Sequence, residues 1–283
     1  MPNLKDIRRR IRSVKSTQQI TRAMKMVAAA KLRKATERLT ASRSYATRLE
    51  DLMVRLARRV GPDAHPFFRR QPVERTLVLL VTGDRGLCGA YNTNLFHAAD
   101  HLIRERGAEK LEFILAGKKG VDHYRKAGLD VRLSYANVFL KLDHLPYEDV
   151  AREARDAYLS GRVQEMVVLS MRFQSIANSH IETIPILPLA PSADEAAPGV
   201  EYLTEPSLPK VLDALIPRYL NVAVLRALLE ANAGEQAARM TAMELATRNA
   251  DEMIDSLTLF YNRARQAAIT KELSEIVAGA AAV

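Results

Sequence analysis

Proline is missing from two long stretches of this chain, residues 3–61 and 218–283, although the chain has 12 prolines. Proline lacks a backbone N–H and clashes with the preceding turn, so it breaks helix interiors. Its absence permits a long unbroken helix at each end of the chain. At ~1.5 Å per residue, 58 residues reach roughly 87 Å and 66 residues roughly 99 Å. A compact chain of this size has a radius of gyration near ~19 Å. Neither helix fits inside such a globule as a straight rod. The alternatives are two broken helices in a bundle or a long pair. Neither stretch has the proline or paired glycine that causes sharp kinks, which favours the pair.

The apolar pattern supports it. Leu4, Ile7, Ile11 and Val14, then Ala28, Leu32, Ala35 and Leu39, then Ala46, Leu49, Met53, Leu56 and Val60 recur in 3-4 spacing. This is a heptad seam. Gln18, Thr21 and Lys25 interrupt it, and the apolar stripe is expected to move to Ile20, Met24 and Val27, as in a coiled-coil stutter. Gly61-Pro62 ends the helix. The C-terminal stretch has a similar seam from Val222 through Met243, Ile254 and Tyr261 to Ala268, interrupted at Arg226, Gln236 and Thr247. Gly234 is a weak point worth about 1 kcal/mol relative to Ala. Two seams of similar length can bury each other as an antiparallel coiled coil.

Between them the chain alternates. Residues 75–82, 111–116, 129–133 and 165–171 read as strands, and 92–106, 117–126 and 147–160 as helices. Residues 181–189 and 200–203 are expected to form an edge hairpin, with 191–199 a loop. Pro185 and Pro188 suit an edge. The expected fold is α/β: a long antiparallel coiled coil of N- and C-terminal helices with an inserted Rossmann-like α/β domain. The expected divisions are 1–61, 65–210 and 211–283.

Charge is uneven. Residues 1–60 carry 17 Lys/Arg against four acids, which holds the whole excess of a chain whose net charge is +9. A helix of this kind faces solvent, an acidic protein, nucleic acid through the run Arg8-Arg9-Arg10, or anionic lipid. No apolar run of ~18 residues is present, so membrane contact is expected only through a partner. The single cysteine, Cys88, excludes an internal disulfide.

Few residues suggest chemistry. Gly83-Asp84-Arg85-Gly86-Leu87-Cys88-Gly89 follows the first strand, where phosphates can bind. It lacks the G-x-G-x-x-G spacing and a P-loop lysine, and reads chiefly as a tight turn. Cys88 is either a buried structural thiol or one activated by Arg85 and a helix N-terminus. His97 and His101 share a helix face but lack a third metal ligand. Glu148-Asp149 and Asp251-Glu252 are neighbours that point apart. No cofactor and no metal are expected. The uncharged tip from Ile276 to Val283 either frays or enters an apolar sleeve.

Four segments together resemble the gamma subunit family of F-type ATP synthases. They are residues 11–27, opening Ile11-Arg12-Ser13-Val14-Lys15-Ser16-Thr17-Gln18 and closing Met24-Lys25-Met26-Val27; the turn Asp84-Arg85-Gly86-Leu87-Cys88-Gly89; Gln236-Ala237-Ala238-Arg239-Met240-Thr241-Ala242-Met243; and residues 262–273, from Asn262-Arg263-Ala264-Arg265-Gln266 to Glu272-Leu273. They lie in order across the whole chain.

The resemblance implies a central rotating shaft without catalysis of its own, in a proton-translocating complex. It implies alpha and beta subunits around the coiled coil, and an epsilon subunit and c-ring at the head. ATP and magnesium would bind the ring and not this chain. Arg265, Gln266, Arg239 and Met24 match rotor-stator contact positions, and Tyr202 a rotor foot position near the c-ring. The implied location is peripheral, on the cytoplasmic face of a bacterial inner membrane or its organellar equivalent. A basic coiled-coil protein that binds nucleic acid is the alternative.

Overall fold

The computed structural model describes residues 4–60, 65–176, 178–189, 205 and 207–281. Gly61-Pro62, the 191–199 loop, the 200–203 strand and Tyr202 lie outside the described residues. The chain divides into two compact units, one of residues 1–29 with 239–283 and one of residues 30–238.

The terminal helices run through both units. Helix α1 spans Leu4–Val60 and α5 spans Leu208–Ala281, 57 and 74 residues respectively. Helix α5 begins ten residues before the proline-free stretch and passes through Pro217. Proline there forfeits one intrahelical hydrogen bond. The buried face of Leu212, Ile216, Leu220 and Val224 carries the helix across it, so packing overrides local preference. Pro209 sits in the first turn, where a missing N–H costs nothing.

In the smaller unit α1 and α5 pack antiparallel. Gln18 donates to Asp251, the Thr21 and Thr247 hydroxyls lie 2.8 Å apart, and Lys25 pairs with Glu244 at 3.3 Å. Position rises on one helix as it falls on the other. Ile7 and Ala28 on α1 and Met243 and Ala250 on α5 are buried around these pairs. The expected stutter is absent. Thr21 is only 8% exposed, whereas Ile20 and Val27 are 57% and 56% exposed. Positions 14, 18, 21, 25 and 28 keep unbroken 3-4 spacing, and all are half-buried or buried. The seam therefore continues in register through polar residues. The stripe does not move because each polar side chain finds a partner on the facing helix, which removes most of the penalty for covering it.

The larger unit contains a five-stranded sheet of order β3-β2-β1-β4-β5. Strands β1 (Thr76–Val81), β2 (Leu111–Ala116), β3 (Asp130–Tyr135) and β4 (Glu165–Phe173) are parallel, and β5 (Ser179–Leu187) runs antiparallel to β4. Helices α2 (Tyr91–Arg106), α3 (Lys118–Tyr124) and α4 (Tyr147–Leu159) link them. Every residue of β1 and β2 is buried, as expected of parallel strands covered on both faces. On one face Val78, Leu80, Phe113, Leu115, Val167 and Leu169 pack with Ala99 and Leu102 of α2 and Tyr124 of α3.

Strand β5 is the edge that Pro185 and Pro188 suggested. Its described partner is β4; the expected pairing with 200–203 lies outside the described residues. Five residues separate β4 from β5, and the N–H groups of Gln174 and Ser175 donate to the Asn178 carbonyl. A connection that short makes the preceding strand the nearest partner.

Glu112, near the start of β2, is a charge in the sheet interior. It is fully buried, and Arg75, Arg132 and Arg162 approach it at 3.3, 3.0 and 3.1 Å. The three guanidinium groups are about one-third exposed. They shield the carboxylate from the core at the amino-terminal edge of the parallel strands.

Candidate functional site

The glycine-rich turn lies at the carboxyl end of β1, where α/β folds bind ligands. Here the Gly83 amide and the first amides of α3 are already used. The Asp84 carboxylate accepts from the Lys118 N–H at 2.9 Å and from the Phe139 N–H at 2.8 Å. Lys119 N–H donates to the Gly83 carbonyl and Gly120 N–H to the Thr82 hydroxyl. These are the first amides of α3, whose dipole would attract an anion. Gly83 N–H donates to Asn92. A Cβ on Gly83 would meet the Glu235 carboxyl group at 3.0 Å. Two carboxylates thus occupy the surroundings in which a phosphate would sit, and like charge opposes its entry. Gly117 is needed for this closure: its φ is +108°, and a Cβ there would lie 2.1 Å from the Thr82 carbonyl oxygen.

Cys88 belongs to the same packed turn. It is buried with Tyr91, Leu95 and Met171, and its sulfur receives a hydrogen bond from Asn92 at 3.3 Å. The burial is that of the structural reading of this thiol. His97 and His101 are both exposed. His101 lies 3.6 Å from Glu105, and Asp100 between them accepts from the Tyr124 hydroxyl at 2.8 Å. Burial first, then Asp100, raises the Tyr124 pKa. No group of three or more metal-ligating side chains exists among the described residues.

The residues singled out for contact with neighbouring subunits lie elsewhere. Met24, Arg239, Arg265 and Gln266 all belong to the smaller unit. Met24 is half-buried on α1, one residue from the Lys25–Glu244 pair. Arg265 and Gln266 are exposed on α5, beside the half-buried Ala264 and Ala268. Arg239 is 8% exposed, so it presents little surface outward. Arg239 and Arg265 are separated by 26 residues of continuous helix, about 39 Å along its axis. The four residues therefore occupy two levels and do not form one cluster.

Beyond Ala268 the exposure of α5 changes character. Every residue from Ile269 to Ala278 is exposed, including Ile269, Leu273, Ile276 and Val277. By the register of the Gln18–Asp251 and Thr21–Thr247 pairs, α1 begins opposite the Ala264 region, so among the described residues no partner helix faces the last turns of α5. Their apolar side chains form an uncovered surface. No described helix is long and apolar enough to cross a membrane.

Known proteins place the chain. The family model described as ATP synthase matches residues 3–283. An ATP synthase gamma chain of Chlorobaculum parvum is 47% identical, covering 100% of this chain and 99% of that one. One from Chlorobium phaeobacteroides is 46% identical with the same coverage. In fold, the chain is similar to one in the mitochondrial ATP synthase of Euglena gracilis (OSCP, F1 and c-ring), with a TM-score of 0.66 and 20% identity over 99% of this chain and 94% of that one. It is also similar to a chain in the central stalk and c-ring of the Tetrahymena thermophila mitochondrial enzyme, with a TM-score of 0.59 and 23% identity over 80% and 99%. Full-length identity near one-half, the family match and the antiparallel pair of terminal helices agree: this chain belongs to the ATP synthase gamma chain family.

Proposed function

We propose that this chain is the central rotating shaft of an F-type ATP synthase, coupling ion-driven rotation of a c-ring to nucleotide chemistry in a ring of alpha and beta subunits. The observation that carries the reading is the continuous pairing of α1 and α5 in the smaller unit, followed by uncovered apolar turns at the end of α5. A torque-bearing element needs a long backbone-bonded structure. Its end must turn inside a partner without a side chain that locks it.

In this reading the chain has no catalysis of its own. The turn that could have bound a phosphate is filled by Asp84 and Glu235. Residues 65–210 form the head between the coiled-coil segments 1–61 and 211–283. The head meets the epsilon subunit and the c-ring, with Tyr202 at the foot. Arg265, Gln266, Met24 and Arg239 are the rotor-stator contact positions, Arg239 with only 8% of its surface open. The chain touches the membrane only through the c-ring, on the cytoplasmic face of a bacterial inner membrane. The nucleic-acid alternative is set aside because full-length relatives are ATP synthase gamma chains.

Exposed rotor–stator charge pairs are individually worth about 0–1 kcal/mol. Torque therefore depends mainly on the shape and stiffness of the helix pair. The test is assembly with alpha and beta subunits, followed by ATP-driven rotation of a probe attached to the head. Arg265→Lys should leave rotation largely intact, whereas alanines at Leu32, Leu39 and Met53 should lower stall torque. If Arg265→Lys stops rotation and the seam variants do not, shape is not the determinant. If the chain does not assemble with the ring and binds DNA with a steep salt dependence, the shaft reading fails.

A further inference from the structure

Within the larger unit a recess of about 320 Å³ lies where α1, α5 and the connection from β3 to α4 meet. Ligand pockets begin near that size, at about 300 Å³. Lys31 and Lys34 stand three residues apart on α1 and share a face, and Lys141 approaches from the connection. None of the three has an ion-pair partner among the described residues. Arg38, on the same face of α1, is neutralised by Asp143 at 2.7 Å. The lining therefore carries an excess of three positive charges. Its connection is fixed from behind by the hydrogen bond from Phe139 N–H to Asp84.

The recess also contains a neutral polar group. Asn232 of α5 is 4% exposed and lines it. Its carboxamide makes no hydrogen bond to the described residues and lies open to the recess. An amide can donate two hydrogen bonds. Three ammonium groups above it are point charges suited to phosphate oxygens.

We propose that this recess binds a diphosphate anion, with Lys31, Lys34 and Lys141 balancing its charge and the Asn232 amide donating to one of its oxygens. An excess of three matches the charge of a diphosphate better than that of a single carboxylate. The ligand is free pyrophosphate or the diphosphate of a nucleotide. The site is separate from the glycine-rich turn, and the proposal does not depend on the shaft reading.

Calorimetric titration of the full chain with pyrophosphate and with ADP, in low salt without magnesium, tests it. Saturable one-to-one binding is expected, weakening as salt rises. Comparable affinity for the two ligands assigns the site to a nucleotide diphosphate, and preference for pyrophosphate assigns it to the free anion. Combined Lys31→Gln, Lys34→Gln and Lys141→Gln should weaken binding at least tenfold. These side chains are exposed, so the variant should fold. Asn232→Leu should weaken binding similarly, and Lys271→Gln on the far end of α5 should leave it unchanged. The proposal is overturned if neither ligand saturates at millimolar concentration, or if the triple variant binds as the parent does. It is also overturned if a polyglutamate peptide binds more tightly than pyrophosphate and displaces it, which would assign the surface to an acidic protein.

Discussion

The carboxylate of Glu112 lies 3.0 Å from the Arg132 side chain, yet the acid is completely buried and the base about one-third exposed. Arg75 and Arg162 reach the same carboxylate. The arrangement lets a charge sit inside a parallel sheet because its partners remain hydrated. Removing the acid leaves three like charges converging on one place. Breaking a buried pair by deleting one partner costs about 3–5 kcal/mol, and the exposure of the arginines places Glu112→Ala near the low end. Urea unfolding of the full chain should show a loss of about 3 kcal/mol. Glu112→Gln, which keeps the shape and hydrogen-bonding capacity, should lose less.

The Thr21–Thr247 contact predicts coupling between the terminal helices. Each hydroxyl also lies within hydrogen-bond distance of a carbonyl of its own helix, Gln18 and Met243 respectively. Two hydroxyl hydrogens thus serve three contacts, and losing one hydroxyl leaves the other a partner. Thr21→Val and Thr247→Val should each destabilise by about 1 kcal/mol. The double variant should lose less than the sum, with a coupling of about 0.5–1.5 kcal/mol in a double-mutant cycle. Strict additivity would show that the two hydroxyls do not interact in solution.

Gly234 was expected to soften α5. Its surroundings give it another role. A Cβ at this position would lie 2.6 Å from the Met171 Cγ and 3.7 Å from the Tyr91 ring. The missing side chain lets the helix approach β4 and α2. Gly234→Ala gains about 1 kcal/mol of helix propensity but forces Met171 out of place, an overpacking cost of about 1–3 kcal/mol. The variant should melt lower than the parent. Adding Met171→Ala, which frees the space, should recover part of the propensity gain relative to Met171→Ala alone.

Two groups set opposite edges of a pH profile. Burial lowers the His65 pKa, and Asp213 at 3.5 Å opposes the shift only partly. The unfolded chain therefore binds the proton first, near 6.5. Stability should decline as pH falls through that value, and the loss should level off once the folded imidazole also protonates. His65→Gln should flatten the midpoint temperature between pH 8 and 6. Glu244 behaves as a carboxylate held below its ordinary value, first by the Arg248 hydrogen bond and then by Lys25. Its contribution is complete above about 4.5 and disappears as pH falls through the lower folded value. Glu244→Gln should remove that acidic segment of the profile and leave the His65 segment in place.

The elements that depend only on local pattern were legible before the fold was known. Heptad spacing and apolar runs placed α1, β1, β2 and β4 to within a few residues and found α5 but not its start, because burial imposes those periods whatever the partner. The errors are non-local. Thr21 looked like an interruption because its polarity was visible and its partner, 226 residues away, was not. Pro217 looked like a boundary because its penalty is local and the packing that offsets it is distant. At the glycine-rich turn the motif was weak for phosphate. The physical reason, Asp84 reaching Lys118 and Phe139, joins segments 34 and 55 residues apart. Asn232 carried no signal at all, since an asparagine within a helix is unremarkable until its surroundings are known.

The polar residues inside the seam also fix where one helix stands along the other. Sliding α5 by one heptad would set Thr247 opposite Val14 or Ala28 and leave its hydroxyl against hydrocarbon, while Lys25 and Asp251 would lose their counterparts. A purely aliphatic zipper has neighbouring alignments of similar energy, and prolonged twisting could make it creep from one to the next. Three rungs of distinct chemistry act as index marks that raise those alternatives, so the pair can take up strain lengthwise and return to the same setting.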